Sequence, residues 1–312
     1  MTNSGAAEAN LDPSALEPKG LARVAPPSWS ESTHIPPVAP PVSTPGWSRR
    51  RPDVFGVIEV GSDRARLDIF RRDSDGSFQV VWHDEESLGG GFPFATDPRD
   101  KSHPAQPRLS DQRLVVALRR FQRVCGRHHV TVGAVAHGSD SLNNHPDTLP
   151  RLFRMTGVAL KQVSDRDTAR LLCLGVLRGH PTGGKSLVID VGPEATLVVL
   201  ADGEEPVALW RLGVGTNDGD GGEGPSALRA LRGKVRQSLR QTRLDAVRGA
   251  AARSLTVRDR LEGGGAATGR AARVILEEIA AHLRLDGIRA VGRGLREGIL
   301  YDLGRQTGPT DA

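Results

Sequence analysis

The sequence predicts a duplicated α/β fold in which two similar halves face each other across a cleft. Three short runs rich in β-branched residues, at 54–60, 65–72 and 78–84, precede an alternation of helix and strand patterns. A second triplet of strand-like runs begins near Lys185, and a glycine, Gly61 or Gly192, directly follows the first strand of each triplet. The repetition of one strand order within a chain indicates an internal duplication.

Length and composition agree with a two-domain globular protein. The chain has 312 residues, of which 38% are hydrophobic and 25% charged. Single cores usually split at this size, so we expect two compact domains. No apolar run reaches the roughly 18 residues that a membrane span requires. The N-terminus lacks the basic and apolar pattern of a secretory signal, so we expect a cytoplasmic protein without membrane association.

The N-terminal segment differs in composition from the rest of the chain. Residues 1–52 contain ten of the 21 prolines and have little aliphatic periodicity. Such a segment cannot bury enough apolar surface to offset the entropy lost on ordering. We therefore predict a disordered proline-rich tail at 1–52, a first domain at 53–183, and a shortened second domain at 184–312 that ends in a helix.

Apolar periodicity orders the first half after its three strands. Helical spacing at 110–126 is followed by a strand at 130–138, a helix near 149–153, a strand at 158–164 and a helix near 169–176. This is the βββαβαβ order of an α/β half-domain, with one further helix. Cys125 and Cys173 lie within the apolar helical patterns, so we expect buried free thiols without a disulfide or zinc.

The second half reads as three strands followed only by helices, at 225–244, 268–285 and 295–303. Residues 179–186, between the halves, satisfy the phosphate-loop pattern G-x-x-x-x-G-K-S. A phosphate loop must follow a strand and open a helix, whereas here a helix precedes and a strand follows. We interpret this segment as a linker between the domains.

The charge of the chain is compatible with a polyanionic partner. The net charge is +5, while aromatic residues make up only 4%, which argues against nucleic acid stacked on aromatic rings. The arginines between 229 and 243 recur every three or four residues. This stripe is typical of the solvent face of an amphipathic helix, and the alternative is a track for polyphosphate or another polyanion.

One acidic residue lies near the end of the first strand in each triplet. Glu59 precedes the turn at Gly61, and Asp190 precedes the turn at Gly192. In a duplicated cleft, amides of such turns can bind phosphate, and an acid at the strand end can hold Mg²⁺ or its water. The alternative is that each acid only satisfies nearby amides.

Five segments in collinear order resemble the exopolyphosphatase and guanosine pentaphosphate phosphohydrolase (Ppx/GppA) family. RGLREGILYDL at 293–303 is similar to the terminal signature of that family. The other four are GVIEVGSDRARL to D-I-G-S-N-S, VGAVAHGSDSL to V-A-T-S-A-x-R, VSDRDTARLLCLGVL to S-G-x-E-E-A-R-L-x-x-x-G-V, and SLVIDVGPEATLVVL to L-V-x-D-I-G-G-G-S-T-E-L. The resemblance implies an actin-like, ribonuclease-H-like duplicated fold whose terminal helix returns towards the first half.

The resemblance also implies a ligand site. Its metal positions are Glu59 and Asp190. Its phosphate-binding positions are Gly61, Ser62, Asp63, Arg170, Gly192 and Thr196. The implied cofactor of an active enzyme is Mg²⁺, the implied ligands are polyphosphate and guanosine penta- or tetraphosphate, and the assembly usual for the family is a homodimer.

Several residues depart from the family pattern where chemistry is expected. The position of the proposed catalytic glutamate is Thr168, which cannot act as a carboxylate base. Asp167 is adjacent, but neighbouring helical side chains point about 100° apart, so Asp167 is only a weak candidate base. In the second loop, Pro193 lacks an amide hydrogen, Glu194 adds negative charge and Leu197 replaces an acid.

These departures lead to three hypotheses. The first is a catalytically impaired Ppx/GppA-like protein that binds a phosphate-rich ligand or a partner in a regulatory role. The second is a working Mg²⁺-dependent exophosphatase that acts on polyphosphate or guanosine pentaphosphate (pppGpp). The third is a structural interaction protein without a ligand cleft.

Overall fold

A computed structural model describes residues 53–74, 76–88, 109–136, 148–180, 184–219, 224–249, 251, 253–257 and 265–306. The tail predicted at 1–52 lies outside the described residues. All of the described residues belong to one compact unit. The division into domains at 183 and 184 stays a prediction.

The first half is built on a five-stranded mixed sheet. Its elements are β1 (Val54–Val60), β2 (Arg64–Arg72), β3 (Phe78–Ser87), α1 (Leu109–His128), β4 (Thr131–Ala136), α2 (Thr148–Thr156) and β5 (Lys161–Gln162). The strand order is β3-β2-β1-β4-β5, with β1 antiparallel to β2 and parallel to β4. The strands β1 and β2 are buried almost throughout, which explains the near-continuous apolar run of β1, while β2 also buries the charged residues Arg66 and Asp68.

The second half repeats this sheet. The helix α3 (Asp165–Leu177) follows β5 and closes the first half. The elements of the second half are β6 (Lys185–Val191), β7 (Thr196–Asp202), β8 (Glu205–Leu212), α4 (Pro225–Thr242), β9 (Arg253–Val257), α5 (Gly265–Leu283), β10 (Arg289–Val291) and α6 (Leu295–Gln306). The order β8-β7-β6-β9-β10 matches the first sheet strand for strand, including the antiparallel and parallel pairings. The predicted duplication is therefore confirmed.

The strands observed differ from the predicted strands in both halves. The region after residue 225 was expected to be helical throughout, but it contains the strands β9 and β10. Both are short, five and three residues, so the flanking helical patterns obscure their periodicity. In the first half, the strand predicted at 158–164 is reduced to Lys161–Gln162. The phosphate-loop-like segment follows α3, and its last two residues, Lys185 and Ser186, begin β6, so a helix precedes it and a strand follows; residues 181–183 lie outside the described residues.

The edge strands β3 and β8 carry an irregularity of strand pairing at equivalent places in the two sheets. In the first sheet Ile69 pairs with Trp82 and Phe70 with Val80, so Val81 is an extra residue in β3. In the second sheet Leu200 pairs with Ala208 and Ala201 with Pro206, so Val207 is an extra residue in β8. Val81 and Val207 are β-bulges, with exposed fractions of 39% and 47%. The duplication therefore extends to the details of strand pairing.

Two helices of equivalent position, α3 and α6, link the sheets. The side chain of Leu171 on α3 packs with Phe55 and Val57 of the first sheet. Other α3 side chains, including Cys173 and Val176, pack with strands of the second sheet. The helix α6 shares the core of Leu171, so the terminal helix does return to the first half, as predicted.

Candidate functional site

The candidate site is a cavity of about 40 Å³ between the hairpin turns of the two halves. Its lining residues are Glu59, Gly61, Ser62, Asp63, Arg64, Asp165, Thr168, Asp190, Gly192, Pro193, Glu194, Ala195, Leu197 and Arg211. Six of the predicted site residues are therefore brought together, from both halves. Each water needs roughly 10–15 Å³ of such a cavity, so the volume of about 40 Å³ accommodates only a few waters.

The two turns are constructed in the same way. The amide of Gly61 donates to the carbonyl oxygen of Arg64 at 2.9 Å, and the amide of Gly192 donates to that of Ala195 at 2.9 Å. A β-carbon on Gly192 would lie 2.8 Å from the Ala195 oxygen, so the second turn requires glycine. Both glycine amides are used within their own turns. Their role is to shape the turn tightly rather than to donate towards the cavity.

Glu59 and Asp190 occupy matching positions at the cavity floor. Both side chains belong to residues that are more than 90% buried, and they pair across the hairpins with Arg66 and Leu197, respectively. Carboxylate oxygens are the ligands that Mg²⁺ prefers, and Mg²⁺ is often held by only one or two carboxylates with water and phosphate. Within the described ranges no group of three or more His, Cys, Asp or Glu could hold a metal. Glu59 and Asp190 line the same cavity with the donor type that Mg²⁺ prefers, and a magnesium ion at this pair stays a prediction.

Glu59 is also tied to a network of charges beneath the cavity. The Nε of Arg296 on α6 lies 3.9 Å from an Oε of Glu59, and its guanidinium contacts the buried Asp68. The other oxygen of Asp68 lies 2.6 Å from Nδ1 of His83. The terminal helix thus places a cation behind the cavity carboxylate.

The first turn adds one acid and one arginine to the cavity. The Oδ2 of Asp63 accepts a hydrogen bond from Nε of Arg64 at 2.8 Å, and Arg64 also reaches Glu85 on β3 at 3.4 Å. The residue Ser62 is buried beside them. The first turn therefore presents a compensated pair of charges to the cavity.

The second turn is covered by the loop that follows β8. The amides of Thr216 and Asn217 donate to the carbonyl oxygens of Gly192 and Pro193, at 3.0 and 2.9 Å. The hydroxyl of Thr196 donates to the carbonyl of Val214 at 2.8 Å and is fully buried. The predicted ligand residue Thr196 therefore anchors this loop and is not among the cavity-lining residues.

Of the predicted site positions on helix α3, only the position of the catalytic glutamate faces the cavity. Thr168 lines the cavity and is 3% exposed. Asp167 instead accepts from the amide and hydroxyl of Ser164, at 3.4 and 2.8 Å, which completes a capping box. Arg170 donates to Asp302 on α6 at 2.9 Å. Neither Asp167 nor Arg170 is a cavity-lining residue.

Sequence reasoning missed two residues of the cavity, Asp165 and Arg211. Asp165 precedes Thr168 by three positions, so the two side chains lie on the same helix face. Arg211 on β8 donates from Nη1 to both carboxylate oxygens of Asp165, at 3.2 and 3.4 Å. Helical spacing from Thr168 is the signal that identifies Asp165, whereas no local pattern points to Arg211.

The cavity is more acidic than a simple phosphate site. Five carboxylates line it, against the two guanidinium groups of Arg64 and Arg211. An isolated phosphate would be repelled by this excess of negative charge. A phosphate group paired with a divalent cation meets a better balance of charge.

The arginine stripe on α4 is partly engaged within the chain. Arg232 contacts Glu277 and Glu278 on α5 at 2.7 and 2.8 Å, and Arg236 contacts Glu278 at 2.7 Å. These ion pairs give part of the stripe a structural role between two helices. The cavity therefore remains the stronger candidate for ligand binding.

Comparison with solved structures identifies the fold. Protein-family models give no match to this chain. A Ppx/GppA family member from Aquifex aeolicus superposes with a TM-score of 0.65 at 14% identity, over 82% of this chain and 99% of that chain. An exopolyphosphatase from Cytophaga hutchinsonii superposes with a TM-score of 0.63 at 14% identity, over 82% and 100%. The predicted actin-like fold is confirmed, and the resemblance to the Ppx/GppA family holds at the level of fold.

A search of the described helices finds none that is long and apolar enough to cross a membrane.

Proposed function

We propose that this chain is a divergent Ppx/GppA-type protein that binds a phosphate-rich ligand, polyphosphate or pppGpp, without hydrolysing it, and that it acts as a regulator. The observation that carries the proposal is the side chain at the cavity wall of α3. Thr168 occupies the position that the family resemblance gives to a catalytic glutamate. The fold and its cleft are retained while the carboxylate at that position is lost.

A threonine hydroxyl cannot replace a carboxylate base. Its oxygen remains protonated at neutral pH and has no negative charge with which to take a proton from an attacking water. Loss of a positioned general base typically lowers the rate by about two to four orders of magnitude. Asp167 does not compensate in this conformation, because its carboxylate completes the helix cap at Ser164.

The ligand is proposed to bind together with Mg²⁺. Glu59 and Asp190 are the residues that would hold the ion, each from the end of a central strand. A bound Mg²⁺ supplies positive charge that neutralises phosphate oxygens. Because carboxylates outnumber arginines in the cavity, we expect phosphate affinity to depend strongly on the divalent cation.

The test is phosphate release from long-chain polyphosphate and from pppGpp with Mg²⁺. We expect no turnover by the unaltered chain. Thr168→Glu would add a carboxylate at the cavity wall, and Thr168→Gln is the matched control of similar size without charge. Release by Thr168→Glu alone supports a retained cradle that lacks only its base. Turnover by the unaltered chain would refute the proposal.

A second candidate function is an active hydrolase that uses Asp165 as its base. The favouring observation is that Asp165 lines the cavity one helical turn from Thr168. If this candidate is correct, the unaltered chain releases phosphate and Asp165→Asn abolishes that release. Binding measurements with the same ligands address the third hypothesis, because a chain with no affinity for any of them has a structural role.

A further inference from the structure

The cavity holds one arginine from each half, and the two differ in how firmly they are held. Arg64 contacts both Asp63 and Glu85, and Glu85 also binds Arg66. The hydrogen bonds of Arg211, counted over the described residues, go to Asp165 alone and use only Nη1. The guanidinium of Arg211 therefore has donors left for another oxyanion.

The ion pair of Arg211 with Asp165 is one that a ligand can displace. The side chains are 33% and 37% exposed, so water screens their attraction. Exposed ion pairs contribute little to stability. A phosphate group offers two or three oxygens to the planar donors of arginine, which match phosphate as well as carboxylate geometry, so a phosphate can replace Asp165 at the guanidinium.

We propose that Arg211 is the phosphate-contacting residue that the second half supplies, and that Asp165 competes with the ligand for its guanidinium. This inference rests on the proposed function, because it assigns a role within the same cavity. Asp165 is on α3 and Arg211 is on β8, so ligand binding would release a contact between the linking helix and the edge strand of the second sheet. The pair thereby sets the phosphate affinity of the cavity.

The experiment is titration of tripolyphosphate with Mg²⁺ into the full chain by isothermal calorimetry. Asp165→Asn should raise the affinity about threefold, because the competing ion pair is weak. Arg211→Gln should lower the affinity at least about tenfold, because a charge-assisted contact is lost. Arg211→Lys should recover part of that loss, and the melting temperature of each variant reports whether the chain remains folded.

A double-mutant cycle separates competition from a general field effect. Glu194→Gln also removes an acid from the cavity wall, whereas the hydrogen bonds of Arg211 within the described residues go to Asp165. In the Arg211→Gln background the gain from Asp165→Asn should disappear, whereas any gain from Glu194→Gln should persist. A gain from Asp165→Asn that survives without Arg211 would overturn the inference.

The remaining outcomes distinguish the two proposals. If the unaltered chain binds tripolyphosphate and neither Asp165→Asn nor Arg211→Gln changes the affinity, this inference fails while the proposed function stands. If only Asp165→Asn binds, this inference is supported and the proposed function fails, since the competing pair then prevents the unaltered chain from binding. If neither the unaltered chain nor Asp165→Asn binds, both proposals fail.

Discussion

Gly175 on α3 lies directly against Gly294, the residue that precedes α6. A β-carbon added to Gly175 would be 1.9 Å from the carbonyl oxygen of Gly294 and 2.8 Å from the amide nitrogen of Gly298. In the opposite direction, a β-carbon on Gly298 would be 1.8 Å from the carbonyl oxygen of Leu171. The two linking helices therefore cross in backbone contact, at a separation that only glycine permits.

Gly175→Ala should strongly destabilise the chain. The atoms that this β-carbon would meet belong to the backbone and cannot move aside as a flexible side chain can, so overpacking should cost about 3 kcal/mol. Urea denaturation measures the loss. The control is Gly233→Ala on α4, where a β-carbon would meet nothing within 4 Å and where alanine should stabilise the helix by about 1 kcal/mol. Equal stability of the two variants would contradict the crossing.

Asp167→Ala should affect stability and leave ligand affinity unchanged. Its carboxylate caps α3, and the corresponding Glu297 caps α6 by accepting from the amide of Gly294 at 2.6 Å. Loss of the cap should cost about 1 kcal/mol, and Ser164→Ala should cost a similar amount. Thermal denaturation and calorimetry with Mg²⁺ and tripolyphosphate provide the two measurements. A large loss of affinity in Asp167→Ala would show that Asp167 takes part in ligand binding.

The ion pairs of Glu278 should make stability depend on pH. Burial raises the pKa of its carboxyl, but hydrogen bonds from Arg236 and Arg232 outweigh burial, so the pKa lies below its ordinary value. The stabilisation is complete above the unfolded pKa of about 4.3 and is lost as the pH falls through the folded value. Glu278→Gln should lose about 1 kcal/mol at pH 7, and the difference should shrink below about pH 4.

Urea denaturation of Glu278→Gln and of the unaltered chain, carried out from pH 7 down to pH 3, measures the effect. Glu277→Gln is the control, because its side chain is 59% exposed and, among the described residues, its ion pair is with Arg232. Its loss at pH 7 should be smaller. A difference between Glu278→Gln and the unaltered chain that stays constant down to pH 3 would contradict this account.

The two cysteines should be unreactive in the folded chain. Both are buried, and burial raises the pKa of the Cys125 thiol to about 12 and that of the Cys173 thiol well above its ordinary value. The thiolate is the reactive form, so a disulfide reagent at pH 8 should modify neither residue. In urea the same reagent should titrate two thiols. Rapid modification of either cysteine without denaturant would show that the surrounding helix opens.

The fold was largely predictable because its evidence is repeated within the chain. Three strands and a following glycine occur twice, and each copy supports the interpretation of the other. The strands β9 and β10 were not predicted, because they are short and lie between long helical patterns. Strict use of the duplication would have recovered them, since β4 and β5 occupy the equivalent places in the first sheet.

The cavity was predictable only in part, for a physical reason. Glu59 and Asp190 follow from the ends of β1 and β6, which the duplication places at equivalent positions in the two sheets. Arg211 reaches the cavity from the third strand of the second half, and its partner Asp165 lies 46 residues earlier in the chain. Contacts at such separation depend on the packing of α3 between the sheets, which no local pattern encodes.

The paired bulges at Val81 and Val207 have a consequence for the behaviour of this protein at high concentration. An outer strand with free backbone groups is a template on which another chain can add, and repeated addition leads to fibres. An extra residue disturbs the regular spacing of those groups and twists the strand away from a flat approach. Because β3 and β8, the equivalent outer strands of the two sheets, both carry this irregularity, the duplication copied a safeguard against polymerisation together with the strand that needs it.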